Sequence, residues 1–160
     1  MAVKPLVAVV GGSECTAAEG DAAEAVGRRL AQAGAIVLCG GLTGVMEAVA
    51  KGVRAGGGLT IGILPGNDPA DANGYIDIPL ATGMGEMRNA LIVRAAGAVI
   101  AIGGSFGTLS EIALALRIGT PVVGLHDRFA GAVEIPRARD AAAAVDLALA
   151  RAARPRDLRS

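Results

Sequence analysis

The 160-residue chain predicts an α/β domain, a doubly wound, mostly parallel Rossmann-like sheet with helices on both faces. Three observations carry that expectation. Short β-branched runs alternate with longer stretches of helical periodicity, each strong run is nearly all apolar, and glycine pairs follow three of the runs. Strands covered on both faces read as continuous apolar runs, which marks a parallel sheet between helical layers. Residues 1–155 are expected to form a single nucleotide- or phosphate-ligand-binding domain, with 156–160 as a short basic tail.

In chain order, strands are expected at Leu6–Val10, Ile36–Cys39, Thr60–Leu64, Ala98–Ile102 and Pro121–Leu125, with weaker candidates at Ile76–Leu80 and Val133–Ile135. Helices are expected between them at Ala17–Ala33, Gly44–Ala55, Gly85–Ala96, Gly107–Ile118 and Asp140–Arg154. The first carries Ala22, Val26, Leu30 and Ala33 on one face and Glu24, Arg28 and Gln32 on another, and Thr16-Ala17-Ala18-Glu19 reads as its capping box. In the fourth, Leu109, Ile112, Ala113 and Leu116 repeat the apolar spacing. The extended segment Pro65–Gly74 is dense in turn formers and reads equally as a cover over a pocket or as a surface connection.

Composition limits the function classes. Apolar residues make up 52% of the chain and aromatics 2%, with 24 glycines and no Trp, so the core must come from Val, Ile, Leu and Ala at close approach. Fifteen basic residues balance fifteen acidic ones, which speaks against a nucleic-acid or anionic-membrane partner. The local cluster Arg151, Arg154, Arg156 and Arg159 reads as cations at a helix C-terminus followed by an end. Cys15 and Cys39 are 24 residues apart, outside any CxxC pattern, and His126 is the single histidine, so no metal site is expected. With no signal peptide and no apolar run of transmembrane length, the expected location is the cytoplasm.

In a doubly wound sheet, ligands sit outside the carboxyl ends of the strands. Three turns there carry glycine pairs: Gly11-Gly12-Ser13, Gly40-Gly41-Leu42-Thr43-Gly44 and Gly103-Gly104-Ser105-Phe106-Gly107-Thr108. Such a turn brings backbone N–H groups and a helix N-terminus against an anion, which is phosphate-binding chemistry; one such turn alone is as readily a tight turn. The chain has no GxxxxGK[ST] loop and no GxGxxG, and its second strand ends at Cys39-Gly40 without the acidic residue of a dinucleotide site, so an NAD enzyme is disfavoured. Thr108-Leu109-Ser110-Glu111 reads first as a capping box and second as a carboxylate beside an anion site. Arg88 reads by itself as a solvated helix residue, and His126 as a bystander.

The run Thr82–Asn89 followed by Gly103–Glu111 resembles the superfamily once mislabelled lysine decarboxylases, which holds the LONELY GUY phosphoribohydrolases and the molybdenum cofactor carrier proteins. The likeness extends from Val7 to about Leu125 and takes in Gly40–Met46 and Gly62–Gly66. In the phosphoribohydrolases an arginine followed by lysine, with the glutamate of PGGxGTxxE, cleaves the base from a nucleoside 5′-monophosphate. Arg88 and Glu111 match that pair, but Asn89 replaces the lysine and Ile102 the proline, as in the carrier branch with its Arg-Asn pair. The resemblance implies a carrier of a pterin or nucleotide phosphate, with molybdopterin as a possible ligand and no cofactor required. The alternative is an N-glycosidic hydrolase with Arg88 and Glu111 catalytic, not a lysine decarboxylase. A homo-oligomer, dimer or tetramer, is implied too.

Overall fold

The computed structural model describes residues 3–153. Its sheet has six strands, β1 Leu6–Gly11, β2 Ile36–Cys39, β3 Leu59–Leu64, β4 Ile78–Ala81, β5 Ala98–Ile102 and β6 Val122–Leu125, in the order β4-β3-β2-β1-β5-β6. Every pairing is parallel, with Val7 opposite Val37 on one side and Ala98 on the other. The helices are α1 Ala17–Gln32, α2 Val45–Ala55, α3 Asn89–Ala95, α4 Phe106–Arg117 and α5 Ala141–Ala152. The expected doubly wound α/β sheet is therefore present.

Alternate residues of β1 divide the core. Val7 and Val9 face the cluster built with Val26 and Leu30 of α1, Val49 and Val53 of α2 and Ala144 and Ala148 of α5. Ala8 and Val10 face Ile92 and Val93 of α3 and Ile112 and Ala115 of α4. β5 is buried at every position, which its unbroken apolar run Ala-Val-Ile-Ala-Ile requires. β4 and β6 are the two edge strands, and Ile78 and Leu80 of β4 stay exposed.

Three expectations need correction. Val133–Ile135 is not a strand: Val133 forms only an isolated bridge to Ala130, and the segment runs beside Gly124 through the Gly124 N–H to the Pro136 carbonyl. Gly85–Ala96 is not one helix. A 3-10 turn, Gly85–Arg88, precedes α3, and the positive φ of Gly83 and Gly85 bends the chain into it. The capping box at Thr16 and Glu19 is present, whereas that at Thr108 and Glu111 is not, because α4 begins at Phe106 with Ser105 as its N-cap. Arg154, Arg156, Arg159 and the proposed tail 156–160 lie outside the described residues. No helix among the described residues is long and apolar enough to cross a membrane.

The packing of α1 on α2 is backbone against backbone. A Cβ on Gly27 would lie 2.1 Å from the Val49 carbonyl oxygen, and one on Gly52 would lie 2.0 Å from that of Glu24. Gly27→Ala should therefore destabilise the protein by about 1–3 kcal/mol through overpacking, despite the better helix propensity of alanine. Gly20 lies in the same helix with only Cys15 Sγ nearby, at 3.6 Å. Gly20→Ala should stabilise by about 0.5–1 kcal/mol. Thermal melts of the two variants should move in opposite directions, and equal shifts would refute the close-packing account.

Candidate functional site

The strand order reverses direction between β1 and β5, and the carboxyl ends of these two strands flank a cleft of about 280 Å³. Its walls are the turn after β1, the start of α2, the 3-10 turn before α3 and the first two turns of α4. Of the residues expected in a site, Gly11, Gly12, Ser13, Gly40, Arg88, Asn89, Ser105, Gly107, Thr108 and Glu111 line it. Leu42, Met46, Pro65 and Glu86 line it as well, and sequence reasoning did not single them out.

The turns after β1 and β2 are held together by direct bonds. The Val45 N–H donates to the Gly12 carbonyl at 3.0 Å, and Thr43 Oγ1 donates to the Ser13 carbonyl at 2.9 Å. Gly44 sits between them at φ 66°, where a Cβ would come within 2.3 Å of the Gly12 oxygen. Gly44 and Gly41, whose missing Cβ leaves room for Leu64, thus shape the cleft without lining it. Pro65 reaches the cleft, while the rest of the Pro65–Gly74 segment is pinned to the neighbouring turn by Asn73, whose N–H and Nδ2 donate to the Gly41 carbonyl and Nδ2 also to that of Leu42.

Arg88 is buried, 8% exposed, contrary to its reading as a solvated helix residue. The 3-10 turn aims the side chain inward, where Nε donates to the Ile63 carbonyl at 2.8 Å and Nη1 donates to Asn89 Oδ1. Nη2 lies against Gly40, where a Cβ would come within 2.9 Å of it and within 2.5 Å of Met46 Sδ. Burial lowers the guanidinium's proton affinity, and the charge of Glu111 works against that drop.

Glu111 stands on the inner face of α4, one turn beyond Thr108 and beside Ile112. Moving the cap to Ser105, whose N–H donates to Thr108 Oγ1 at 3.4 Å, leaves the Glu111 carboxyl free of the helix terminus. It is 7% exposed and makes no hydrogen bond with any described residue, so its unused oxygens border the cleft. Burial pushes its pKa up from the ordinary 4.5 to about 8, only partly offset by Arg88. The cleft therefore holds a guanidinium beside a carboxyl that burial shifts toward its protonated form.

Gly103, Gly104 and Phe106 do not line this cleft. Gly104 and Ser105 instead border an adjoining one of about 390 Å³, with Gly12, Ser13, Glu14, Cys15, Thr16 and Arg128. A Cβ on Gly104 would meet Thr108 at 2.6 Å, and one on Gly103 would lie 2.5 Å from Glu19 Cδ, so substitution there strains the turn itself. Phe106 is 89% exposed. Cys39 is buried beneath the site with its thiol pushed up to about 11 by desolvation, which makes it inert. His126, with φ 52°, begins the turn after β6 and lines neither cleft.

A parallel sheet with a glycine-walled cleft at its switch point defines a Rossmann-like domain for small-molecule ligands. Residues 4–155 match the SLOG cluster4 family model, LDcluster4, and the chain belongs to that family. An uncharacterized protein of Archaeoglobus fulgidus is 44% identical over 119 residues, 74% of this chain and 78% of its own. The structure of the molybdenum cofactor binding protein from the phototrophic bacterium Rippkaea orientalis is similar, with TM-score 0.87 and 34% identity over 92% of this chain and 97% of that one. The molybdenum cofactor carrier protein of Chlamydomonas reinhardtii gives a TM-score of 0.84 and 31% identity over 95% of this chain and 100% of that one.

A raised carboxyl pKa has a defined effect on stability. Below about pH 4.5 Glu111 is protonated in both folded and unfolded chains; between 4.5 and about 8 the folded state holds the extra proton, so stability falls as pH rises through this window. Glu111→Gln removes that dependence. Its melting temperature should exceed the wild type's by several degrees at pH 8.5 and differ little at pH 4.5, each kcal/mol being worth about 2–4 °C at this size. Parallel wild-type and variant curves across that range would refute the raised pKa.

Proposed function

We propose that this protein is a binding or carrier protein for a phosphorylated pterin of the molybdenum-cofactor kind, held in the cleft between β1 and β5 without bond cleavage. The observation that carries the reading is Glu111: buried on the cleft without a hydrogen-bond partner among the described residues, and with burial favouring its protonated form, it can donate a hydrogen bond to a carbonyl or ring nitrogen and accept one from an amino group. A pterin edge offers both kinds of partner. The similarity to molybdenum cofactor binding and carrier proteins, over nearly the full length, favours a pterin over a nucleotide.

The residues fit such a group. Gly11, Gly12 and Gly40 line the cleft, and a Cβ on Gly11 or Gly40 would collide with neighbouring protein atoms within 2.6 Å, so the walls close as they do only with glycine there. Arg88 and Glu111 would face the ring, while Ser105, Gly107 and Thr108 at the head of α4 offer backbone and hydroxyl groups to phosphate. The pterin here is cargo, and the chain's own task is to bind it and exclude water.

Hydrolysis of a nucleoside monophosphate makes a different demand. The oxocarbenium-like transition state needs an ionised carboxylate nearby, and the burial that raises the Glu111 pKa works against that form. Asn89 also stands where the hydrolytic motif has its lysine and is spent on Arg88. Residues 1–155 as one ligand-binding domain, a cytoplasmic location and a homo-oligomer belong to the same proposal. The last is supported by the apolar side chains that Met84, Met87, Leu91 and Leu116 expose.

Mass spectrometry of the purified protein should find a pterin retained, and calorimetry should show a phosphorylated pterin binding. Arg88→Ala should weaken that binding about tenfold to a hundredfold, the worth of a charge-assisted hydrogen bond at about 1.5–3 kcal/mol. Wild-type affinity should hold up to about pH 8 and decline above it, as Glu111 loses its proton, whereas Glu111→Gln should bind with a flat profile. Release of free base from AMP or other nucleoside 5′-monophosphates would overturn the carrier reading in favour of a phosphoribohydrolase.

A further inference from the structure

The two clefts share Gly12, Ser13 and Ser105, so they adjoin along one groove with different chemistry on its two sides. At one end stand Arg88 and Glu111; at the other stands Arg128. Arg128 comes from the segment after β6. That segment is anchored: Asp127, its side chain 2% exposed, accepts from Arg137 Nε at 2.9 Å and Nη2 at 3.2 Å, and from the Phe129 N–H at 3.0 Å.

The guanidinium is aimed by a buried carboxylate. Nε and Nη2 of Arg128 donate to Glu19 Oε1 at 3.2 and 2.8 Å, while Glu19 Oε2 accepts from the Thr16 N–H at 2.9 Å. Glu19 lies directly beneath the glycine turn, where a Cβ on Gly103 would touch its carboxyl. Burial raises the Glu19 pKa, but the Thr16 N–H and Arg128 outweigh it and hold the group below its ordinary value, so it stays an anion. A bare carboxylate there would repel phosphate from the turn; Arg128 cancels it. Of the five guanidinium N–H groups, two are spent on Glu19, and three have no acceptor among the described residues. The side chain is 55% exposed and lines the cleft together with Ser13 and Ser105. The other carboxylate on this cleft, Glu14, is solvent-exposed and so screened.

We propose that Arg128 is the residue that selects phosphorylated ligands in this groove, its free N–H groups taking the phosphate oxygens over the Gly104–Ser105 turn while Glu19 fixes its orientation. The proposal rests on the binding function above only in sharing its site. A ligand would lie with its ring at Arg88 and Glu111 and its phosphate at Arg128. Phosphate monoesters are the matching class, because a fixed planar fork recognises a dianion with two oxygens in reach.

Inorganic phosphate is the probe, since it tests this end of the groove whether or not the ring is a pterin. Titration of the full chain, followed by phosphorus NMR line broadening, should show saturable binding, and Arg128→Ala should weaken it about tenfold or more. Arg128→Lys should recover part of the loss, and Arg117→Ala, on the exposed side of α4, should leave phosphate binding unchanged. The double variant Glu19→Gln with Arg128→Ala separates contact from neutralisation, because glutamine still serves the capping box. Continued weak binding in the double variant supports direct contact. Recovery there would mean that Arg128 acts only by cancelling Glu19, and would overturn the proposal. So would wild-type protein that fails to bind phosphate, or a folded Arg128→Ala that binds it normally. Retention of a pterin by the wild type is scored separately, so either reading can fail while the other stands.

Discussion

The contact between the backbones of α1 and α2 sets the geometry from which the groove is made. Two helices that touch through Gly27 and Gly52 stand closer than side chains would allow, and each follows a strand whose carboxyl end carries a glycine turn. Their N-termini are thereby drawn together. Val45 and Thr43 can then bond the carbonyls of Gly12 and Ser13, and Gly44 fits where any other residue would collide. The first two turns become one rigid wall, facing the third turn across the gap where the sheet changes direction.

Electrostatics complete what packing begins. Two buried carboxyls sit near the groove and are treated oppositely. Glu19 receives a backbone N–H and an arginine, which favour its ionised form; Glu111 receives no hydrogen bond from a described residue, so burial dominates and favours its protonated form. Both are little exposed, but Glu111 lies deeper in the protein and lacks the hydrogen bonds that Glu19 receives. One acid steers an arginine, and the other offers a neutral hydrogen-bonding edge.

Where local pattern decides the structure, the sequence was sufficient. The apolar runs of β1, β2, β3, β5 and β6 and the capping box of α1 were legible because each is a short-range consequence of periodicity or of one side chain reaching three residues. The start of α4 was misplaced because Ser105 and Thr108 offer competing caps, and only the path from Ile102 through two glycines at positive φ selects the first. Arg88 was misjudged as exposed, since its burial depends on the Ile63 carbonyl 25 residues away. Its match to a family motif was the signal that compensated. Arg128 had no such signal: its partner Glu19 is 109 residues distant, and nothing around Asp127-Arg128-Phe129 marks it in sequence.

The pairing of β1 with β5 joins residues about ninety positions apart, Val7 with Ala98 through Gly11 with Ile102, and the groove opens at the end of that pairing. Closing so long a loop costs chain entropy that local contacts do not return, and contacts of this kind slow folding. The groove therefore does not exist in a partly folded chain whose first half alone has assembled. Any ligand held there binds the completed fold and not the unfolded one, so at a hundred times its dissociation constant it adds about 2.7 kcal/mol to stability. Occupancy and resistance to proteolysis are thereby coupled: a loaded molecule outlasts an empty one in the presence of proteases, through the same strand pairing that builds the groove.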